Sequence, residues 1–274
     1  MAHGSSRGVI SALNQGIGSS CSVMMPCPWV PGFLHSQSPE KTCIGIEVTL
    51  TSEFDFYRWG PLAGKAAVPS LTDSEGSFWK TTAQVAAKAT ADDIEKEIRA
   101  QIERAEGFDF KPSHLDTHLG AIYAKPEFFD RYLKVAMEKG IPPVIAAGHL
   151  TFLSVEKTNV AAMMKAKAKE VWNAGFPVVD DIVTSVETWD VGQKKAKLEA
   201  LLFGLRPGIT HIIFRPVVPT DELRLILTSS GPRIQDNMIL TDFGIKRVIE
   251  NRKIVVTDWR DLKERRKKAK PIEN

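Results

Sequence analysis

The chain has 274 residues, 43% of them hydrophobic and 25% charged, so it is long enough and apolar enough to bury a sizeable core and is not a low-complexity polypeptide. Its formal net charge of +3 owes much to one basic run at 263–270, which reads as a solvated end; with no other basic stretch, nucleic acid is not expected as a partner. No stretch reaches the ~18–20 apolar residues of a membrane span, no signal-peptide pattern opens the chain, and Cys21, Cys27 and Cys43 lack zinc-knuckle spacing and read as reduced thiols of a cytoplasmic protein.

In chain order, the opening Met1-Ala2-His3-Gly4-Ser5-Ser6 reads as the end of a loop. Strand-like runs follow at 21–25, 44–50, 114–118, 143–147, 178–183, 209–214 and 254–257, β-branched or apolar and mostly bounded by Gly or Pro. Between them lie helical patterns at 92–106, 126–139, 158–173, 191–203, 221–228 and 242–251. The first carries Ile94, Ile98 and Ile102 on one face, and the second opens at Pro126 and stops before Gly140. Strands that are apolar on both faces and alternate with helices imply a parallel sheet covered by helices, an α/β fold. The expected organisation is one domain over 1–262 and a basic tail over 263–274. No Gly-rich phosphate loop follows any strand, so nucleotide binding lacks support.

The segment 52–91 breaks the rhythm. It is long, holds Pro61, Pro69, Gly60, Gly64 and Gly76, and carries Phe54, Phe56, Tyr57, Trp59, Phe78 and Trp79. Long loops with their own aromatics often cover binding sites, and aromatic faces suit the apolar C–H faces of sugar rings. Rings that simply pack the loop down are the equal alternative.

His114, Asp116 and His118 alternate along one predicted strand, which places them on one face. Two imidazoles and a carboxylate there suit a metal or acid–base cluster; a hydrogen-bonded core pair is the structural alternative. Glu47 interrupts an apolar run and needs a partner, a cation or a polar setting. Arg215 ends the run Ile212-Ile213-Phe214-Arg215-Pro216, where a guanidinium can pair with a carboxylate such as Glu47 or hold an anionic group. Asp180 and Asp181 are adjacent on a strand and face opposite sides, so they are no carboxylate pair. Thr241-Asp242-Phe243-Gly244 resembles a kinase motif but lacks its companions, and reads as a helix cap and first turn.

Several strings resemble the YdjC-like carbohydrate deacetylase family, which includes chitin-disaccharide deacetylase. They are Ser22-Val23-Met24-Met25-Pro26-Cys27-Pro28-Trp29, Gly45-Ile46-Glu47-Val48-Thr49-Leu50-Thr51-Ser52-Glu53, Tyr57-Arg58-Trp59-Gly60-Pro61-Leu62, Ser113-His114-Leu115-Asp116-Thr117-His118, Pro207-Gly208-Ile209-Thr210 and Thr257-Asp258-Trp259-Arg260-Asp261-Leu262. The resemblance runs in order along nearly the whole chain. It implies a glycoside hydrolase/deacetylase-type (β/α) barrel of seven or eight mainly parallel strands, possibly lacking its first strand. It also implies removal of an N-acetyl group from an amino sugar or oligosaccharide, with a divalent metal (Mg or Zn) and an Asp base.

Carried over by residue, the family's last histidine ligand is His118 and its second ligand position holds Glu47; the family's Asp-Asp strand, expected just before Gly4, is absent, and its late His-Pro is Arg215-Pro216. The metal candidates are therefore His118 and Glu47, the catalytic candidates Asp116 and Arg215, and the substrate-binding candidates Tyr57 and Trp59. Two readings follow: a metal-dependent deacetylase with a reshaped site, or a catalytically impaired homologue that binds a carbohydrate or a partner. The partner expected is an acetylated sugar, with a homo-oligomer left open.

Overall fold

A computed structural model describes residues 2–227 and 229–269. The last residue of the predicted helix 221–228 and the end of the basic tail, 270–274, lie outside the described residues. The strands are β1 (Cys21–Val23), β2 (Ile44–Val48), β3 (Leu115–Thr117), β4 (Asp181–Val183) and β5 (Thr210–Ile212). They form two parallel sheets, β1-β2-β3 and β4-β5. The predicted strand at 143–147 is reduced to single bridges, Pro143 to Leu115 and Ala146 to Val179, which link the two sheets in chain order. The predicted strand at 254–257 pairs with nothing among the described residues and is an extended connection. The fold is thus α/β with parallel strands, and its sheets are smaller than the seven or eight strands expected.

Twelve α-helices are described: α1 (His3–Gln15), α2 (Val30–Ser36), α3 (Thr82–Lys88), α4 (Ala91–Glu106), α5 (Pro126–Glu138), α6 (Leu153–Glu156), α7 (Thr158–Asn173), α8 (Lys194–Gly204), α9 (Asp221–Ile226), α10 (Gly231–Leu240), α11 (Phe243–Asn251) and α12 (Trp259–Lys268). None is long and apolar enough to cross a membrane. Capping fixes several ends as read from sequence. Thr90 accepts from the Asp93 N–H ahead of α4, and Asp242 accepts from the Ile245 N–H ahead of α11.

His3–Ser6 are not a loop end but the first turn of α1, while Met1 lies outside the described residues. Glycine and serine are poor helix formers, so local propensity hides this helix. Packing explains it: a Cβ at Gly8 would sit 2.5 Å from the Pro216 carbonyl carbon, so only glycine lets α1 lie this close to the chain after β5. α2, α3 and α10 also escape the sequence reading, being short or opened by Pro and Gly. The basic run at 263–268 continues α12 and is not wholly a solvated end: Trp259, Leu262 and Arg266 are buried, Arg266 donates to the Trp172 carbonyl and Lys263 to the Gly140 carbonyl, while Lys267 and Lys268 are exposed.

Segment 52–91 is a packed lobe. The Trp59 indole N–H donates to the Thr51 carbonyl at 2.9 Å, and the Ser52 N–H donates to the Trp79 carbonyl at 2.9 Å. Buried Glu97 of α4 accepts the N–H groups of Leu62 and Ala63 at 3.1 and 3.0 Å, and burial raises its carboxyl to about 7.

Candidate active site

β2 and β3 turn alternate residues to opposite sides. Ile44, Ile46, Val48 and Leu115 are fully buried in the apolar core. Glu47 is paired in register with Asp116, so their side chains share the other face. That face lines a cavity of about 760 Å³, walled also by α1, Glu53, Phe54, Tyr57, His118 and the segment 206–217.

His118 follows β3 directly, and its ring is held from both sides. Nδ1 lies 3.1 Å from Glu47 Oε1, and Nε2 lies 3.1 Å from both carboxylate oxygens of Glu53. Burial disfavours the charged ring, yet the two carboxylates outweigh it and hold His118 up to about 9. It is an imidazolium at neutral pH, donating both N–H groups. Burial likewise opposes the charge on Glu47, but His118 and then Arg215 bring it down to about 2. The next residue, Leu119, has φ 51, a left-handed conformation costly for a leucine, and strain of this kind recurs where a side chain must be aimed.

Asp116 has the opposite fate. Burial and then the Glu47 charge push it up to about 7, although it accepts the Thr117 N–H at 2.7 Å. It therefore shares a proton near neutrality, while Glu47 beside it stays ionised. Two carboxylates whose environments drive their titrations apart are the usual arrangement for acid–base work.

Arg215 does not pair with Glu47. Its guanidinium donates to Glu187 at 2.7 Å, and Arg233 binds the same carboxylate at 2.7 Å. The Arg215 N–H donates to Asp236 Oδ2 at 2.9 Å, and Asp236 forms a fully buried ion pair with Lys194 at 2.5 Å. Arg215 and Arg233 both line the cavity, so two guanidiniums on one carboxylate leave this wall net positive.

His114 faces the same interior but is structural in its contacts. Its ring nitrogens bond Ser22 Oγ and Ser113 Oγ, each at 2.9 Å, and its ring stacks on Trp259 at 5.2 Å. Burial and then His211 keep it well below the usual histidine range, so it is neutral. It lies across Gly45, where a Cβ would meet the ring at 2.5 Å. Of the aromatic candidates, Tyr57 lines the cavity. Trp59 is buried and stands edge-on to His118, Phe54 and Tyr57 at 6.4, 5.9 and 5.8 Å, supporting the site from beneath.

The structure therefore joins Glu47, Asp116 and His118 and sets Arg215 on the facing wall. It adds Glu53 and Glu187, which the sequence reading did not single out. Glu53 sits past β2 in an irregular segment, and Glu187 in a short 3-10 turn, where no periodicity marks a side chain's direction.

A divalent metal, implied by the family resemblance, needs converging donors. Glu47 and Glu53 lie on opposite nitrogens of one ring, so a cation on Nε2 would leave Glu47 as the orienting partner of the other N–H. Among the described residues no group of three or more His, Cys, Asp or Glu side chains is arranged to hold a metal. These residues do not fit a catalytic metal centre with three protein ligands.

Fold and site together define an α/β protein of parallel strands with an acid–base cluster at a deep cavity. The YdjC-like protein family matches over residues 1–251, and the chain belongs to that family. It is 27% identical to a carbohydrate deacetylase of Thermoanaerobacter pseudethanolicus over 262 residues, 95% of this chain and 94% of the relative. It is 32% identical to a carbohydrate deacetylase of Thermus thermophilus, covering 83% and 79% of the two chains. A chitooligosaccharide deacetylase of Yersinia pestis is 29% identical over 63% of this chain and 64% of the relative. Among solved structures, a protein of Enterococcus faecalis described as a cellobiose-phosphate cleavage protein superposes with a TM-score of 0.76 at 20% identity, covering 95% and 94% of the two chains. That likeness bears on the fold alone.

Proposed function

We propose that this chain hydrolyses the N-acetyl group of an amino sugar or oligosaccharide bound in the cavity beside β2 and β3. The observation that carries the reading is Asp116, raised to about 7 at the cavity wall beside an ionised Glu47. In this scheme Asp116 takes a proton from water as the water oxygen attacks the acetamide carbonyl carbon. Arg215, on the facing wall, stabilises the oxyanion that forms. Collapse breaks the C–N bond, Asp116 returns the proton to the departing nitrogen, and the acetic acid released passes its remaining proton to the amine, leaving acetate and an ammonium group. Glu47, Glu53 and Asp116 then face the ammonium product. His118, clamped by Glu47 and Glu53, fixes the wall against which Asp116 works.

The relatives named as carbohydrate deacetylases support the substrate class. A barrel arrangement belongs to the same proposal, supported by the parallel segments that neighbour one another in chain order from β1 to β5. A binding-only role is the second reading, favoured by His118, neither of whose ring nitrogens is free. Acetate release from N-acetyl-chito-oligosaccharides decides between them. Turnover that drops at least ~100-fold in Asp116→Asn, with sugar affinity retained, is the expected result. Sugar binding without acetate release from the unaltered chain would establish the second reading.

A further inference from the structure

The strands of each sheet are parallel, and parallel bridges link the two sheets, so the N-terminal ends of all five share one end of the molecule. The cavity spans the sheets from end to end. It is lined from Ser19, ahead of β1, to Met24, beyond it, and from Arg206, ahead of β5, to Val217, beyond it. Glu47 and Asp116 stand toward the C-terminal ends of β2 and β3. At the opposite end α12 forms a floor. Arg260 donates to the Glu40 and Thr42 carbonyls, each at 2.8 Å, Lys263 donates to the Gly140 carbonyl at 2.8 Å, and Trp259 and Leu262 line the cavity. Beside that floor the cavity reaches solvent again, since Val255 and Val256 line it and are 74% and 50% exposed.

The two ends differ in charge. Around Asp116 the lining cations His118, Arg215 and Arg233 face the carboxylates Glu47 and Glu53. Around the floor Arg206, Arg252, Lys253 and Arg265 line the cavity, and among the described lining residues there Asp258 alone opposes them, its Oδ1 already accepting the Arg260 and Asp261 N–H groups. Arg265 is also paired with Asp261, and Arg252 lies over the Phe203 ring. Between the ends the lining is polar and uncharged. Burial brings His211 down to about 4, neutral His114 is bonded to Ser22, and burial raises the Cys21 thiol.

We propose that the end of the cavity beside α12 is the exit for acetate, a small carboxylate, while the sugar enters and leaves at the Asp116 end. The inference rests on the deacetylase reading above and adds to it the route of one product. A sugar seated beside β2 and β3 stands between its own acetamide and the mouth it entered by, so acetate formed at Asp116 lies behind it. An anion there is repelled by ionised Glu47, crosses a stretch with no fixed charge to trap it, and is drawn to the cations around the floor. The order of release follows. With two mouths, acetate leaves while the amine still fills the front of the cavity. With one mouth, the amine must leave first and acetate last.

The test is product inhibition of the full chain by added sodium acetate, with an N-acetyl-chito-oligosaccharide as substrate, the free amine as readout and chloride holding ionic strength constant. Inhibition by acetate is expected to be noncompetitive with the sugar, because acetate binds while the sugar is in place. In the double variant Lys253→Glu with Arg265→Glu the acetate inhibition constant is expected to rise about tenfold, since two attractive charges become repulsive. Lys253→Gln with Arg265→Gln is expected to fall between. The KM for the sugar is expected to stay unchanged in both, which also reports that they are folded. Competitive inhibition, no inhibition, or a constant unmoved by the charge reversal would overturn the exit while the deacetylase reading stands. No amine formed by the unaltered chain would overturn both.

Discussion

Around β1, β2 and β3 the buried side chains form one continuous cluster that runs from Val23 to Ile182 and takes in Trp259 and Leu262. Around β5, α8 and α10 they fall into small separate groups, one on Leu198, Leu202 and Ile249, one on Val217 and Leu223, and one on Val183 and Val186. The cavity is bordered by side chains of both regions. The second region is held as much by polar ties as by packing: Lys194–Asp236, and Arg215 and Arg233 on Glu187. The acidic wall of the site thus stands on a close-packed core, whereas the basic wall stands on ion pairs.

Breaking each support in turn sharpens that contrast. Phe128 is fully buried in the large cluster, and Phe128→Ala is expected to cost about 3–5 kcal/mol in urea denaturation. Leu202→Ala, in a small group beside the cavity, is expected to cost about 2–3 kcal/mol, the low end for such changes, because neighbours there can relax into space. An equal cost at both positions would remove the distinction. Lys194→Met leaves Asp236 buried without its cation and is expected to cost about 3 kcal/mol, whereas Lys194→Met with Asp236→Leu recovers most of it. If the double variant is no better than the single one, the pair is not what holds the basic wall.

The pH dependence tests the acidic wall more gently. His118 has its folded-state titration raised to about 9, so its contribution is full below about 6.5, its unfolded value, and is lost as pH rises through about 9. Glu47, lowered to about 2, contributes fully above the ordinary glutamate value of 4.5 and loses that contribution as pH falls toward 2. Asp116, raised to about 7, acts against stability progressively from the ordinary aspartate value of 3.8 up to about 7. Thermal midpoints of the chain and of His118→Gln between pH 7 and 10 are the measurement. The unaltered chain should lose stability relative to the variant as pH rises from 7 to about 9, and the two curves should run parallel above that; parallel curves from pH 7 to 9 would refute the clamp.

The smallest effect expected is that of chelation. A metal present at 100 times its Kd would add about 2.7 kcal/mol. With no three converging donors among the described residues, dialysis against EDTA is expected to leave Tm and sugar affinity unchanged. A clear drop on chelation would reinstate a metal centre here.

Much of this molecule was legible in its residues. The spacing of Ile94, Ile98 and Ile102 fixed the buried face of α4, the Pro126 and Gly140 signals bracketed α5, and the alternation in 114–118 placed His114 and Asp116 on one face. These are local properties, set by helical and strand periods that neighbouring residues share. What the tertiary structure alone decided was who meets whom. His118 takes its protonation from Glu47 and Glu53, the second of which comes from an irregular segment no period describes. Arg215 is bound to Glu187 and not to Glu47 because α10 and the 3-10 turn at 185–188 bring their charges to it first. Even α1 exists against its own glycines and serines, because close approach to 216–218 repays what propensity withholds. Sequence set each strand's two faces; the charges that long-range packing gathers around each side chain set its chemistry.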